Sequence, residues 1–174
     1  MKQVLIIGAV ASLAAGCAST PTPFDTARAT AQLEPTKGNR AAGTVTFVER
    51  FGKVHVTADV SGLAPNQEHG FHVHEKGDCS SGDGMSAGGH FNPLGKGHGH
   101  MSNVGKHAGD LPNLRADAYG VAAFSVEADG ITVGSGATDI VGRGLIVHRD
   151  PDDYKSQPVG NAGPRLACAV IAKG

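Results

Sequence analysis

The sequence predicts an all-β protein, an antiparallel Greek-key sandwich or flattened barrel of about eight short strands with long loops between some of them. No window of useful length has apolar residues at the three- and four-residue spacing of a helix. Short segments with strand signals recur instead, several of them alternating apolar and polar residues. The composition of 26 glycines, no tryptophan and two tyrosines in 174 residues also favours strands and turns.

Turn signals separate the predicted strands. Residues 50–53 (Arg-Phe-Gly-Lys) predict a hairpin, Pro65-Asn66 a turn before the strand that contains His72, and Asp129-Gly130 a later turn. His55 lies within an alternating segment, so we expect it to face outward and to bind no metal. The other predicted strands are residues 29–33, 43–49, 54–60, 114–117, 120–126, 145–148 and 166–171.

The N-terminus has the features of a secretory signal. Lys2 provides a positive start, and residues 4–15 are almost wholly apolar. This run is shorter than the about 20 residues that a membrane span needs. We therefore expect residues 1–16 to be a signal peptide and the protein to be exported.

The end of this signal, residues 13–17 (Leu-Ala-Ala-Gly-Cys), resembles a bacterial lipoprotein processing site, where the cysteine becomes the lipidated first residue. Residues 17–25 are then lipidated Cys17 and an extended tether, and residues 26–174 form one domain. We expect the protein in the periplasm or cell envelope, held to a membrane by the lipid alone. Ordinary cleavage just after this point is the alternative, and the sequence leaves open which membrane is involved.

The charge of the chain gives no reason to expect a nucleic-acid partner. Without Lys2, the 14 basic and 16 acidic residues leave a net charge of −2, and no basic run is present. Nucleic-acid binding proteins usually carry a basic patch or stripe.

Seven of the nine histidines lie between His69 and His107. On a strand, His72 and His74 present both imidazoles on one face, which makes a pair of nitrogen ligands. A Gly- and Ser-rich loop with further histidines and Asp110 follows, and imidazoles with one carboxylate favour zinc over a soft-metal site. The sequence predicts a metal site with long metal-binding loops, although single histidines also occur on solvated loops or in cores.

Five motifs occur in order along the chain. They are residues 70–75 (Gly-Phe-His-Val-His-Glu), 89–93 (Gly-His-Phe-Asn-Pro), 107–111 (His-Ala-Gly-Asp-Leu), 142–148 (Gly-Arg-Gly-Leu-Ile-Val-His) and 160–168 (Gly-Asn-Ala-Gly-Pro-Arg-Leu-Ala-Cys). Together these motifs resemble the copper/zinc superoxide dismutase family, over residues 26–174. The resemblance implies an enzyme that disproportionates superoxide to oxygen and hydrogen peroxide, protecting the cell envelope. It also implies a copper ion that alternates between two oxidation states and a structural zinc ion.

The resemblance implies a ligand role for each residue that matches a ligand position of the family. The copper ligands it implies are His72, His74, His90 and His148. The zinc ligands it implies are His90, His98, His107 and Asp110. His90 serves both metals, and Arg165 docks the superoxide anion near the open face of copper.

The resemblance also implies roles around the ligands. Asp152 is expected to bridge the outer nitrogens of one copper and one zinc histidine, the alternative being an exposed loop carboxylate. His69 is expected to pack and hydrogen-bond without binding metal. His98 has the family's spacing from His90, but His100 could compete with it for zinc.

The three cysteines leave two when Cys17 is assigned to lipid. Cys79 and Cys168 can then form a disulfide, with two buried free thiols as the alternative.

A metal-buffering module without turnover and a zinc hydrolase are the rival functions. The sequence lacks the His-Glu-x-x-His helix of a zinc hydrolase, and its predicted zinc would have four protein ligands and no open position for water. The sequence leaves monomer and homodimer open.

Overall fold

A computed structural model describes residues 26–174, in which the chain forms ten strands and one short 3₁₀ helix, Met85–Ala87. The predicted all-β class is confirmed. The predicted signal, tether and Cys17 lie outside the described residues. The strands are β1 (Arg28–Pro35), β2 (Ala42–Arg50), β3 (Lys53–Ser61), β4 (Glu68–His69), β5 (Phe71–His74), β6 (Leu114–Arg115), β7 (Ala122–Ala128), β8 (Gly144–His148), β9 (Arg165–Val170) and β10 (Ala172–Lys173).

Most strands follow one antiparallel path in the order β5-β8-β9-β1-β2-β3-β7, with β10 added beside β1. Strands β4 and β6 form a separate antiparallel pair. After the β1-β2-β3 meander the chain crosses to the far end of the path for β5, returns to β7, and crosses again to β8. Strands β5 and β8 are therefore neighbours at one end of the path. The histidines of the predicted metal site lie on these two strands and on the loop after β5. Within residues 26–174, no helix is long and apolar enough to cross a membrane.

The predicted hairpin joins β2 and β3, which pair along their whole length up to Arg50 opposite Lys53. Its two turn residues, Phe51 and Gly52, have φ angles of 52° and 76°. Two successive positive φ values are what a type I′ turn needs, and this turn matches the twist of the strands. The Phe51 side chain is 96% exposed, so it contributes to the turn and not to the core.

The core follows the predicted alternation. Along β3 the buried residues Val54 and Val56 flank an exposed His55, which confirms that His55 faces outward. Strands β5 and β8 differ, because every residue in both is buried. Phe71 of β5 packs into the core, and the loops cover the opposite face of these two strands. That covered face is the one that carries the histidines.

Two short strands were not predicted, and one turn shifts the bounds of two predicted strands by two residues. Strands β4 and β10 contain two residues each, too few to show an alternating pattern. The strand expected over residues 114–117 ends at Arg115. The Asp117 side chain then accepts hydrogen bonds from the Tyr119 and Val121 amides, which turns the chain. This turn delays the next strand, expected over residues 120–126, until Ala122.

A disulfide joins Cys79 and Cys168, as predicted. Cys168 lies on the face of β9 that points away from the main core, where it packs with Ile146 and Ala87. The bond therefore fixes the start of the loop after β5 to β9, an inner strand of the sheet.

Removing this bond should destabilise the fold. Closing a loop with a sequence separation of 89 residues restricts the unfolded chain. The chain-entropy model gives a contribution of about 4 to 5 kcal/mol to the free energy of unfolding. Urea denaturation of Cys79→Ser should show this loss, and reductant should reproduce it in the parent protein. The double variant Cys79→Ser/Cys168→Ser is the control, because reductant should not change it. An unfolding midpoint that is the same in all samples would contradict the prediction.

Candidate metal centre

The loop after β5 folds back along the edge of that strand. Single β-bridges pair His74 with His90 and His72 with Asp110. Between them, the amide and carbonyl groups of Val73 bond to the same two loop segments at 3.0 and 2.8 Å. Backbone pairing therefore fixes the loop residues beside the two histidines of β5.

A first group of side chains consists of four buried histidines from β5, its loop and β8. Each offers a ring nitrogen, and these nitrogens lie within 4.8 Å of one another. The Nε2 atoms of His74 and His148 are 3.4 Å apart. His148 reaches the group because β8 pairs antiparallel with β5. The members are His72, His74, His90 and His148.

A second group surrounds one carboxylate oxygen. Asp110 Oδ1 lies 2.8, 3.1 and 3.3 Å from the Nδ1 atoms of His90, His98 and His107. Two ligands bound tetrahedrally to zinc at about 2.0 Å are about 3.3 Å apart. The three oxygen-to-nitrogen distances are thus close to the separation between two ligands of a tetrahedral zinc site.

Unpaired ring nitrogens support a metal in both groups. His72 Nδ1, His90 Nε2 and His107 Nδ1 are buried and have no hydrogen-bond partner within residues 26–174. A buried polar atom without a partner is costly, and a metal ion would satisfy each of these. His90 belongs to both groups, since its Nδ1 lies beside Asp110 and its Nε2 remains for the first group.

The protonation of the histidines prepares the first group to bind a cation. Burial, followed by the charges of neighbouring histidines, holds the pKa values of His72 and His74 well below the usual range. Burial also lowers the pKa of His148 to about 4. These rings are neutral at pH 7 and offer lone pairs without releasing a proton.

Two members of the second group, His98 and Asp110, have the opposite balance between burial and hydrogen bonding. Burial alone would lower the pKa of His98, but hydrogen bonds to Asp110 and Asp152 raise it to about 9. Burial alone would raise the pKa of Asp110, yet its bonds to His90 and His98 hold it well below the usual range. The carboxylate is therefore charged at pH 7, and His98 must release a proton when a metal binds.

Asp152 links the two groups. Its Oδ2 accepts a hydrogen bond from His72 Nε2 and its Oδ1 accepts one from His98 Nε2, both at 2.8 Å. These bonds leave the Nδ1 atoms of both rings facing their own ligand groups. The structure thus places the carboxylate between one histidine of each group, where the sequence analysis expects a bridging aspartate.

The residues that hold Asp152 were not found from the sequence. The side-chain amide of Asn113 accepts a hydrogen bond from the Asp152 amide and donates one to its carbonyl. The Tyr154 amide donates to Asp152 Oδ1, and the Tyr154 hydroxyl accepts a bond from the Asn113 amide. Gly160 is needed opposite, because a Cβ there would overlap the carboxylate. These contacts join distant loops, so no local pattern announces them.

Arg165 lies beside the first group, on β9 and opposite His148 of β8. Its guanidinium donates hydrogen bonds to the carbonyls of Gly84 and Gly88. The Gly88 carbonyl also accepts a bond from His74 Nδ1 at 2.9 Å. One carbonyl therefore positions both a ring of the first group and the arginine, a role that the sequence did not reveal.

Two further histidines lie outside both groups. His100 packs against the Tyr154 ring, with 4.7 Å between ring centroids, and its Nδ1 bonds to the Ser102 hydroxyl. His69 is fully buried, and its Nδ1 donates a hydrogen bond to the His148 carbonyl. Of the sequence-predicted ligands, the structure brings together all seven that the resemblance names, and it leaves His100 apart.

Comparison with known proteins places this site in a family. The model of the copper/zinc superoxide dismutase family (SODC) matches residues 41–171. The chain belongs to the copper/zinc superoxide dismutase family. The family uses copper and zinc, and the two ligand groups fit two metals. The chain is accordingly an enzyme that dismutates superoxide.

Individual relatives agree with the family. A Cu-Zn superoxide dismutase of Paramecium bursaria Chlorella virus 1 is 47% identical over 135 residues, covering 74% of this chain and 71% of the relative. Cu-Zn superoxide dismutase 2 of Aquifex aeolicus is 41% identical over 148 residues, covering 83% and 86%. The crystal structure of the clock protein EA4 is 44% identical with a TM-score of 0.76, covering 83% of this chain and 93% of that one.

Replacing Asp152 with Asn should weaken binding of both metals. Asn has one acceptor oxygen, and its NH₂ group would face a ring N–H, so His72 and His98 cannot both keep their orientation. Loss of such a partner lowers metal affinity by about 10- to 100-fold. Chelator competition measures the affinity, and Asp153→Asn is the control, because the Asp153 carboxylate is exposed and bonds within its own loop. Equal affinities in both variants would contradict the linking role.

Proposed function

We propose that this enzyme removes superoxide in the cell envelope, with copper in the first ligand group and zinc in the second. Copper is held by His72, His74, His90 and His148. Zinc is held by His90, His98, His107 and Asp110. The observation that carries this assignment is His90, the one residue that belongs to both groups, with one ring nitrogen on each side.

The donor sets distinguish the two metals. Three nitrogens and one carboxylate oxygen make a closed tetrahedral set, which is typical of structural zinc. Four imidazoles suit copper, and the adjacent Arg165 provides a place for an anion. A copper ion held there would supply one-electron redox chemistry, by which one superoxide is oxidised to oxygen and a second, with two protons, is reduced to hydrogen peroxide.

The chain's own residues prepare the reaction. His90 can face two cations only when both ring nitrogens are deprotonated. Each nitrogen must then point at its own metal, so the orientation of the ring must be fixed. Arg165 has five N–H donors, and the carbonyls of Gly84 and Gly88 take only some of them. The remaining donors and the positive charge dock superoxide beside His148. The Arg165 guanidinium belongs beside this group, because Arg165 on β9 pairs directly with His148 on β8.

The metal assignment is tested by exchanging one ligand from each group. His148→Ala should abolish superoxide consumption while the protein keeps its zinc, because His148 belongs only to the first group. Asp110→Asn should release zinc and lower the free energy of unfolding before copper is lost. Metal analysis, a superoxide assay and denaturation measure these effects.

The control for this experiment is His55→Ala, which removes an exposed histidine from β3 and should change neither metal content nor activity. A His148→Ala protein that has lost zinc but retained copper would reverse the assignment. A parent protein that binds both metals without consuming superoxide would favour metal buffering over turnover.

The export part of the proposal is supported by the sequence of residues 1–16 and by the disulfide. A bond between Cys79 and Cys168 persists in oxidising compartments such as the periplasm and is rare in the cytosol. Lipidated Cys17 would then hold the enzyme at a membrane, with residues 17–25 as a tether. Superoxide in the cell envelope is the substrate that this location would expose to the enzyme.

Replacing Cys17 with Ser should release the enzyme from the membrane or block its processing. A cysteine with several acyl chains holds a protein firmly, whereas a single chain binds only marginally. Cell fractionation with activity measurement distinguishes the variant from the parent protein. Parent protein found wholly in the water-soluble fraction would instead indicate ordinary signal cleavage.

A further inference from the structure

The loop between the disulfide and His90 carries an exposed carboxylate next to the arginine. Asp83 directly precedes Gly84, whose carbonyl accepts a hydrogen bond from the Arg165 guanidinium. Asp83 Oδ1 accepts a hydrogen bond from the Met85 amide at 2.9 Å, so the carboxylate closes a tight turn. The turn presents the Gly84 carbonyl to the guanidinium, and the side chain itself remains in solvent.

Asp83 and Arg165 act on each other electrostatically without forming an ion pair. The bond from the Met85 amide lowers the pKa of Asp83, and the charge of Arg165 lowers it further. Burial lowers the pKa of Arg165, and the charge of Asp83 opposes that shift. Within residues 26–174, no carboxylate lies within 4.0 Å of the guanidinium. Arg165 is therefore a cation without a paired anion, and Asp83 is a nearby partial counter-charge.

We infer that Asp83 limits the rate at which superoxide reaches the metal centre, by weakening the positive field of Arg165. The inference rests on the docking role proposed for Arg165. Superoxide carries one negative charge, so a carboxylate beside its docking cation repels it during approach. The turn needs only an acceptor oxygen at Asp83, which a neutral side chain can also provide. The acceptor oxygen of Asp83 thus stabilises the turn, and its negative charge lowers the rate at which superoxide reaches the metal centre.

Asp83→Asn separates these two roles, because it keeps the acceptor and removes the charge. The second-order rate constant for superoxide should rise about twofold at an ionic strength of about 0.01 M, and by less than about 1.3-fold at about 0.15 M, because salt screens exposed charges. Asp83→Ser is a second neutral variant with an acceptor oxygen, in case the first does not fold. Metal content is measured for every variant.

Asp78→Asn is the matched control. Asp78 lies in the same loop, is also exposed, and accepts a hydrogen bond from the amide two residues later, Ser80, at 2.8 Å. The charge beside it is that of Lys76 and not of Arg165. The variant makes the same change in net charge at a different place, so it should leave the rate nearly unchanged.

The outcomes separate the inference from the proposal on which it rests. A salt-dependent gain for Asp83→Asn, absent in Asp78→Asn, supports the inference. Equal gains in both variants overturn it, because net charge and not position would then set the rate. No gain for either neutral Asp83 variant, with a loss of about tenfold for Arg165→Ala, overturns the inference and leaves the docking role intact. An unchanged rate for Arg165→Ala overturns both.

Discussion

The Asp152 carboxylate, bonded to one histidine of each ligand group, is the interaction on which the centre depends. His72 comes from a strand, His98 from the loop after that strand, and Asp152 from the loop after β8. A buried carboxylate is stable only when its oxygens are bonded, so burying Asp152 requires these three segments to come together. Each ring then turns its other nitrogen toward the rest of its ligand group. The same bonds that hold the loops together therefore set the orientation of both rings.

The sheet supplies the rigid part of this arrangement. Strands β5 and β8 are buried on both faces, so their positions are fixed by the core beneath and the loops above. The loop after β5 is held in turn by backbone bonds to that strand and by the Cys79–Cys168 bond. A loop attached at several points to the sheet can hold a ligand such as His90 almost as precisely as a strand can. This explains how one imidazole can be shared by two groups.

The sequence predicted those features that repeat or lie close together along the chain. Alternation identified the main strands, and it separated outward-facing His55 from the paired His72 and His74. The resemblance named the ligand residues, whose assignment to copper or zinc stays a prediction. The sequence did not show that Asn113 clamps Asp152, or that the Gly88 carbonyl serves both His74 and Arg165. Both features depend on backbone groups from distant segments, and a backbone group carries no signature in sequence.

The way in which Arg165 is held explains how a site can be both rigid and open to an anion. A carboxylate partner would fix the guanidinium but would cancel its charge, and an unsupported arginine would move. The carbonyls of Gly84 and Gly88 accept its hydrogen bonds, which orient the side chain without pairing its charge with an anion. Gly88 has a φ of 74°, and a Cβ there would overlap the Glu75 side chain, so glycine is required where its carbonyl meets both His74 and the arginine. The position of the guanidinium therefore depends on a backbone conformation that only glycine adopts easily.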